Sequence, residues 1–334
     1  MRDKVQPKLP TEGLIASDVE PRDVQWLWWP RFPEGNITII GARGGTGKGL
    51  MCVNIAARIT KELKWPFSDG DRAPHGNVAW CETEDSFHTT VVPRLTAAKA
   101  DRNRVVLIKP HEFFKFNLRA YIEDQGIRLI VLSPLNSFLK GLKDPNSGQN
   151  VRNALERIQG HIEDTNCAVV GIGHLNKKSD LSAIERLLGS VEYANFVRSV
   201  VMLRREEGGI VRVVHVLSNL GIVADDLIFT IENTRPDKPR GQYITVQWDR
   251  PNENVDQATM FDQQKVAHDD SAGQWLAKRL EDGEEVECQD IFEEGAKYSY
   301  TESALKQAKA RDPKIRHRKE GFGPKQKVFW WREK

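Results

Sequence analysis

One short stretch constrains the fold of this chain more than any other: residues 37–49, ITIIGARGGTGKG. It predicts a buried strand, a glycine-rich loop that ends in Gly-Lys, and a helix that begins near Leu50. Such a loop surrounds nucleotide phosphates with backbone N–H groups, a lysine and the positive end of a helix. We therefore predict that the following residues bind phosphate: Arg43, Gly44, Gly45, Thr46, Gly47, Lys48, Gly49 and Leu50.

The loop departs twice from the usual phosphate-loop pattern, G-x-x-x-x-G-K-[ST]. Ala42 occupies the place of the first glycine, and Gly49 occupies the place of the serine or threonine. The hydroxyl at that last position normally ligates Mg²⁺. The sequence therefore predicts a phosphate loop whose hold on the metal is weakened.

Length and composition limit the possible classes of protein. A chain of 334 residues can hold one α/β domain of about 200–250 residues and a small additional module. The net charge of +2 means that a nucleic-acid site would have to arise from local clustering of basic residues. The four cysteines form no C-x-x-C pair, which argues against a zinc site or a disulfide framework and favours a reducing compartment. With no signal-peptide core and no membrane-length apolar run, we expect a cytoplasmic protein without a membrane contact or a metal site of its own.

Strand and helix patterns alternate as far as about residue 175. Strand patterns at 37–41, 77–84, 104–108, 127–132 and 168–173 are separated by helical patterns, which predicts a right-handed, doubly wound, mostly parallel sheet. Four further strands near 198–204, 210–217, 227–232 and 243–248 are expected to form an antiparallel extension. Ligands of such sheets lie at the carboxyl ends of the strands, where we expect the glycine loop, Glu84, Ser133 and His174.

The rest of the chain divides into four predicted parts: an arm over 1–22, an α/β core over 23–249, a polar linker over 250–270 and a small domain over 271–334. The small domain shows three short helices and a hairpin, a pattern typical of a winged helix-turn-helix. From residue 301 onwards, 11 basic residues against four acidic ones give a charge of +7. This charge favours contact with DNA phosphates, and the alternative is a solvated basic face.

An aromatic stretch precedes the first strand of the sheet. Residues 26–35, WLWWPRFPEG, are interpreted either as a hydrophobic flap that covers the edge of the sheet or as a platform near an adenine base.

Taken together, these stretches resemble the RepA-like branch of the RecA-fold P-loop ATPases, the hexameric replicative helicases of plasmids and mobile elements. The resemblance rests on the order and spacing of several segments: WLWWPRFPEGNITIIGARGGTGKG, GNVAWCETEDSFHTTVVPRL, RLIVLSPLNSFL, CAVVGIGHLNK, LLGSVEYANFVRSVVML, VLSNLGI, ESALKQAKAR, RKEGFG and FWW. It implies an ATP-binding RecA-like core, a C-terminal winged helix, a homo-oligomeric ring of six subunits, and DNA threaded through the ring.

The resemblance also implies roles for individual residues. Lys48 would bind the β- and γ-phosphates, and Glu84 would activate the attacking water. Arg94 would lie near the nucleotide, while His174 and Asn176 would sense the γ-phosphate. Arg198 would be an arginine finger given to the neighbouring subunit.

Three positions depart from the family pattern. Gly49 lacks the metal-ligating hydroxyl, Ser133 replaces an aspartate, and Leu217 replaces a lysine common in relatives. The first two changes affect the same ion, and a serine hydroxyl is a poor substitute for a carboxylate on a hard cation. Binding of Mg²⁺ is therefore in doubt.

Three functions fit these observations. The first is an ATP-driven, ring-forming DNA helicase or translocase that acts in replication or recombination of a mobile element, with impaired hydrolysis. The second is a pseudo-ATPase that binds DNA or protein partners and has a weak or vacant nucleotide site. The third, a recombination mediator, uses the same core and is not separated by sequence.

Overall fold

The structure is a computed structural model, and it describes residues 15–113, 115, 117–138, 148–174, 196–235, 237, 242–255, 271–297, 302–321 and 327–333. The chain divides into two compact units, residues 1–257 and 258–334. Residues 1–14 of the predicted N-terminal arm and residues 256–270 of the predicted linker lie outside the described part.

Unit 1 is built on a nine-stranded sheet. Its strands are β3 Ile37–Ala42, β4 Asn77–Glu82, β5 Val105–Ile108, β6 Ile127–Ser133, β7 Ala168–His174, β8 Ser199–Arg205, β9 Val211–Ser218, β10 Leu227–Asn233 and β11 Ile244–Asp249. They lie side by side in the order β11-β10-β9-β8-β3-β7-β6-β4-β5. Six neighbouring strands, from β8 to β5 in that order, are parallel, and the three strands beyond β8 are antiparallel.

The predicted mixed α/β fold with a mostly parallel sheet is thus confirmed, with one correction. The segment near 198–204 was expected in the antiparallel extension, but β8 runs parallel to β3. The connection from β7 to β8, residues 175–198, is long enough for the crossover that parallel neighbours require. The antiparallel extension therefore begins only at β9.

Helices alternate with the strands of unit 1. Ten of the 13 residues of the first helix are buried, and it shares a hydrophobic cluster with Ile40, Trp80 and Val131 of the sheet. Alternate strand residues such as Ile39 and Ile130 are as deeply buried, so both faces of the sheet are covered. The helices are α1 Lys48–Thr60, α2 Val92–Ala97, α3 Pro110–Phe113, α4 Leu118–Gln125 and α5 Gly148–Ile162, and a π-helical turn, Phe87–Val91, leads into α2.

The aromatic stretch forms a small hairpin of β1 Trp26–Trp28 and β2 Phe32–Pro33. Trp28 is buried and stacks on Trp65, with 4.9 Å between ring centroids. Part of the stretch, including Trp28 and Phe32, therefore packs in the core of unit 1, whereas Trp29 is half-exposed.

The polar segment after β11 begins differently from the predicted linker. The amide of Val255 donates to Asp226 Oδ2 at 2.8 Å, and the side chain of Asn254 accepts from the amide of Asp226 at 3.0 Å. Residues 250–255 are therefore fastened to unit 1 by backbone and side-chain hydrogen bonds, which a composition-based prediction of a linker does not anticipate.

In its described residues, unit 2 contains three helices and a three-stranded antiparallel sheet of order β12-β14-β13. Leu276, Ile291, Leu305 and Trp330 are buried in its core. Its elements are α6 Ser271–Arg279, β12 Val286–Glu287, α7 Cys288–Lys297, α8 Glu302–Arg311, β13 Ile315–Glu320 and β14 Lys327–Arg332. Among the described residues, no helix is long and apolar enough to cross a membrane.

Candidate functional site

A cavity of about 470 Å³ lies in unit 1 at the carboxyl ends of the parallel strands. The sheet determines this position, because the loops that follow parallel strands all lie at the carboxyl ends of those strands. Of the sequence-predicted site residues, these line it: Gly45, Gly47, Lys48, Gly49, Leu50, Glu84, Arg94, Ser133 and His174. The roles of these residues remain predictions, but the structure brings the residues together.

The glycine loop connects β3 to α1 and requires glycine at two positions. Gly45 and Gly47 have positive φ angles of 74° and 111°, which side-chain-bearing residues rarely adopt. A Cβ on Gly47 would in addition lie 3.3 Å from the ring of Phe229. Helix α1 begins at Lys48, so the positive end of the helix and its free N–H groups border the cavity.

Lys48 is almost fully buried within the loop that it follows. Its Nζ donates to the carbonyls of Ala42 and Arg43, both at 3.1 Å. Burial lowers the pKa of Lys48 to about 8, because a charged ammonium loses hydration there. An anionic ligand would restore the favourable environment of the charge, so the side chain is suited to receive phosphate.

His174 connects Lys48 to Glu84. Its Nδ1 lies 3.3 Å from Lys48 Nζ, and its Nε2 lies 3.6 Å from Glu84 Oε2. Because an ammonium group can only donate, Nδ1 is the acceptor and Nε2 carries the proton that faces the carboxylate. A carboxylate, an imidazole and an ammonium group thus form one continuous polar chain along the cavity.

Arg94 follows in α2 and pairs with Asp85, with 3.0 Å between Nη1 and Oδ2. The same Nη1 would lie 3.7 Å from a Cβ on Gly49. Arg94 therefore lies beside the first turn of α1, where a guanidinium can meet an anion bound at the helix terminus.

A family model described as an AAA domain matches residues 4–180, which is slightly more than half of the chain. The chain belongs to this family. The match includes the strand, loop and helix that form the phosphate site, so the AAA domain of this chain is a nucleotide-binding ATPase domain. The sequence matches none of the curated proteins with which it was compared.

A buried glutamate of this AAA domain, Glu82, was missed by sequence reasoning. It ends β4, is only 6% exposed and lines the cavity. Its Oε1 accepts hydrogen bonds from the amides of Thr83, Glu84 and Asp85 at 2.9, 2.9 and 3.2 Å. Glu82 thereby holds the turn that carries Glu84. The strand was predicted to end at Glu84, but β4 ends at Glu82, so the prediction assigned the strand end to the wrong glutamate.

Arg205 is a second site residue that the sequence did not single out, and it lies beyond residue 180, where the family match ends. It ends β8, the neighbour of β3, and its Nη2 donates to the carbonyl of Gly45 at 3.0 Å. It adds a cation to the phosphate loop. Only the strand order places it there, because 160 residues separate it from Gly45.

Arg198 and Leu217 lie beyond the family match, at the end of the sheet where strands β3 and β8 begin. The amide of Arg198 donates to the carbonyl of Ile37, the first residue of β3, at 3.4 Å, and Leu217 pairs with Val200 near the start of β8. The six residues of β3 run from that end of the sheet to the loop, a distance of about 16 Å at 3.3 Å per residue. Neither residue belongs to the cavity. Asn176 lies outside the described residues.

The donors available to a magnesium ion in this AAA domain are few. Gly49 offers no side chain, Ser133 offers a hydroxyl, and Glu82 offers the buried carboxylate of the neighbouring strand. The other carboxylates of the cavity, Glu84 and Asp85, are exposed and face His174 and Arg94. Within the described ranges, no group of three or more His, Cys, Asp or Glu residues could hold a metal ion by itself. The donor chemistry therefore fits an ion that is bound together with nucleotide phosphates, because Mg²⁺ commonly takes one or two carboxylates plus phosphate oxygens and water.

Proposed function

We propose that this protein is a cytoplasmic, ring-forming ATPase of the RepA-like helicase type, which moves on DNA during replication or recombination of a mobile element. One observation carries the proposal: Lys48, His174 and Glu84 form a connected chain in a cavity that the phosphate loop closes at one end. A nucleotide site needs a cation for the phosphates and a carboxylate that can orient water, and both are present.

The residues divide the work of ATP hydrolysis between them. Lys48, the loop amides and Arg205 neutralise the phosphates, and Arg94 adds charge at the start of α1. Glu84 orients and deprotonates the attacking water. His174 contacts both Lys48 and Glu84, so a change at the γ-phosphate alters the position of His174 and reaches the segment that follows β7. Mg²⁺, when bound, neutralises and orients the transferring phosphoryl group.

The position of Arg198 supports assembly into a ring. An arginine about 16 Å from its own phosphate loop is too far away to stabilise charge there. It can act as an arginine finger only on a nucleotide held by another copy of the chain. A ring of six subunits supplies such a neighbour at every site.

Unit 2 is the proposed DNA-binding domain, and the proposal interprets it as a winged helix because α7 and α8 precede the β13–β14 hairpin. Its charge is more balanced than that of its last 34 residues, because 14 basic and 12 acidic residues over 271–334 give +2. Several basic side chains are paired with acids, as Arg318 is with Glu285 at 2.7 Å and Lys327 with Glu287 at 2.8 Å. Among the described residues, Lys314 and Lys319 form no ion pair, and they are the first candidates for phosphate contact.

A second candidate function is favoured by Gly49 and Ser133. Both replace magnesium ligands of the family pattern, and a site without them can bind nucleotide while hydrolysing it slowly or not at all. The protein would then be a pseudo-ATPase that serves as a scaffold for DNA or protein partners. Retention of Lys48 and Glu84 favours the ATPase.

The two candidates differ in ATP turnover, measured with Mg²⁺ in the presence and absence of single-stranded DNA. The proposed ATPase predicts turnover by the native chain that Glu84→Gln abolishes. The pseudo-ATPase predicts turnover only after the double substitution Gly49→Ser plus Ser133→Asp. Absence of ATP binding and turnover in every variant would contradict both.

A separate measurement tests unit 2. Removal of residues 271–334 should weaken DNA binding and reduce the dependence of the binding constant on salt, because each lost phosphate contact lowers the slope of log K against log salt by about 0.9 on duplex DNA. The substitution pair Lys314→Ala and Lys319→Ala should reproduce part of this change. An unchanged slope after the deletion would refute a DNA-binding role for unit 2.

A further inference from the structure

Glu82 and Ser133 are register partners on neighbouring parallel strands. They are the last residues of β4 and β6, and they pair directly in the ladder. Partners in a parallel pair lie about 4.8 Å apart and direct their side chains to the same face. The preceding partners on this face, Trp80 and Val131, contribute to the hydrophobic cluster that includes α1. Glu82 and Ser133 therefore share the face on which the phosphate loop and α1 lie, and both line the cavity.

Hydrogen bonds hold the carboxylate of Glu82 in place, but they do not occupy all of its acceptor sites. Oε1 accepts three amide hydrogen bonds, whereas Oε2 accepts one long hydrogen bond, from Trp80 Nε1 at 3.4 Å. A carboxylate oxygen has about two acceptor sites, so Oε2 retains capacity for a further partner. A polar group that is only 6% exposed is preorganised, because its position is fixed before a ligand arrives.

We propose that Glu82 supplies the metal-directed carboxylate that Ser133 lacks, so that the acid has moved from one strand to its neighbour. A glutamate side chain is one methylene longer than an aspartate, which helps it to span the distance between adjacent strands. Glu82 and Ser133 together then hold the magnesium ion that accompanies the nucleotide. The inference rests on the proposed nucleotide site but assigns a residue that the phosphate-loop pattern does not contain.

The arrangement makes an unusual prediction for Ser133→Asp. If Glu82 already provides the negative charge, an aspartate at 133 places a second carboxylate directly beside it, and like charges at this distance repel. The added acid then yields little gain in the native background. It yields a large gain only when Glu82 has been neutralised.

The test measures the affinity of a fluorescent ATP analogue with and without Mg²⁺, and the ratio of the two affinities is the magnesium response. The variants are Glu82→Gln, Ser133→Asp and the double variant, with Glu123→Gln, an exposed carboxylate of α4, as the matched control. Glutamine keeps an oxygen for the three amides, and urea unfolding verifies the fold of each variant. Mn²⁺ binding to the nucleotide complex, followed by electron paramagnetic resonance, gives a second readout that does not depend on turnover.

We expect Glu82→Gln to lower both the magnesium response and the Mn²⁺ affinity about ten- to hundredfold. Ser133→Asp alone should change the two quantities less than about threefold. The double variant should recover most of the loss that Glu82→Gln causes. A native response retained in Glu82→Gln would overturn the inference. So would a large gain in Ser133→Asp alone, an outcome that stays decisive even when Glu82→Gln does not fold. A native chain that binds ATP equally with and without Mg²⁺ would overturn the role of Glu82 and leave the nucleotide site standing, whereas a chain that binds no ATP would overturn both.

Discussion

The stability of unit 1 in mild acid should depend on one buried histidine, His215. It is 1% exposed, its Nδ1 accepts from the amide of Ala224 at 3.0 Å, and its Nε2 lies 3.0 Å from Ser199 Oγ. Because Nδ1 is an acceptor, Nε2 carries the proton and donates to Ser199, which in turn donates to the carbonyl of Arg31 at 2.6 Å. The network needs a neutral imidazole, since protonation would put a second hydrogen against the amide of Ala224.

The size of the effect follows from the pKa of His215, which burial, with a contribution from the Arg31 guanidinium, lowers from 6.5 to about 4. A folded-state pKa below the unfolded value means that the neutral ring stabilises the fold above pH 6.5 and that this stability is lost as the pH falls toward 4. The full difference corresponds to about 3 kcal/mol. Between pH 7 and pH 5 the expected loss is about 2 kcal/mol in the free energy of unfolding.

The assay is urea unfolding at pH 7 and pH 5, followed by tryptophan fluorescence, for the native chain and His215→Gln. Glutamine can donate and accept as the neutral ring does, but it does not titrate in this range. Between pH 7 and pH 5, the free energy of unfolding of the native chain should fall by about 2 kcal/mol more than that of His215→Gln. The control His75→Gln removes an exposed histidine and should behave as the native chain does. Equal losses in the native chain and His215→Gln would refute the reasoning.

Three further outcomes are expected. Gly49→Ser should raise the free energy of unfolding by about 0.5 kcal/mol in chemical denaturation, because serine has the higher helix propensity. The variant should fold, since a Cβ at this position would contact only Arg94 Nη1, at 3.7 Å. A loss of stability would contradict this prediction. With the Lys48 pKa at about 8, ATP binding at pH 8 should take up about half a proton, seen as a buffer-dependent enthalpy in calorimetry; a buffer-independent enthalpy would count against it. Mixtures of inactive Lys48→Ala and Arg198→Ala chains should regain ATPase activity, because each mixed interface can combine an intact loop with an intact arginine; mixtures as inactive as their components would argue against an arginine that acts between subunits.

Local sequence was sufficient for the centre of this fold. The strand, loop and helix over 37–60 could be predicted because each depends on neighbours in the chain: buried β-branched residues, glycines at positive φ, and a helical apolar pattern. The helix was expected to begin near Leu50 and begins two residues earlier, at Lys48. The strands that follow could be placed in a parallel sheet for the same reason, since their apolar runs and the lengths between them fix the class of fold. This argument alone placed Glu84 and His174 at the carboxyl ends of the strands, where the structure has them.

Strand order and register lie beyond local sequence, and they decided the rest of the site. Arg205 reaches the loop because β8 adjoins β3, and Glu82 stands beside Ser133 because β4 adjoins β6 in one register. The same topology places Arg198 about 16 Å from the phosphate loop, at the end of the sheet where β3 and β8 begin. These contacts join residues tens to more than a hundred positions apart, so no periodicity or motif encodes them. The sequence by itself determined that a phosphate loop exists, and the packing of the sheet determined which charges surround it.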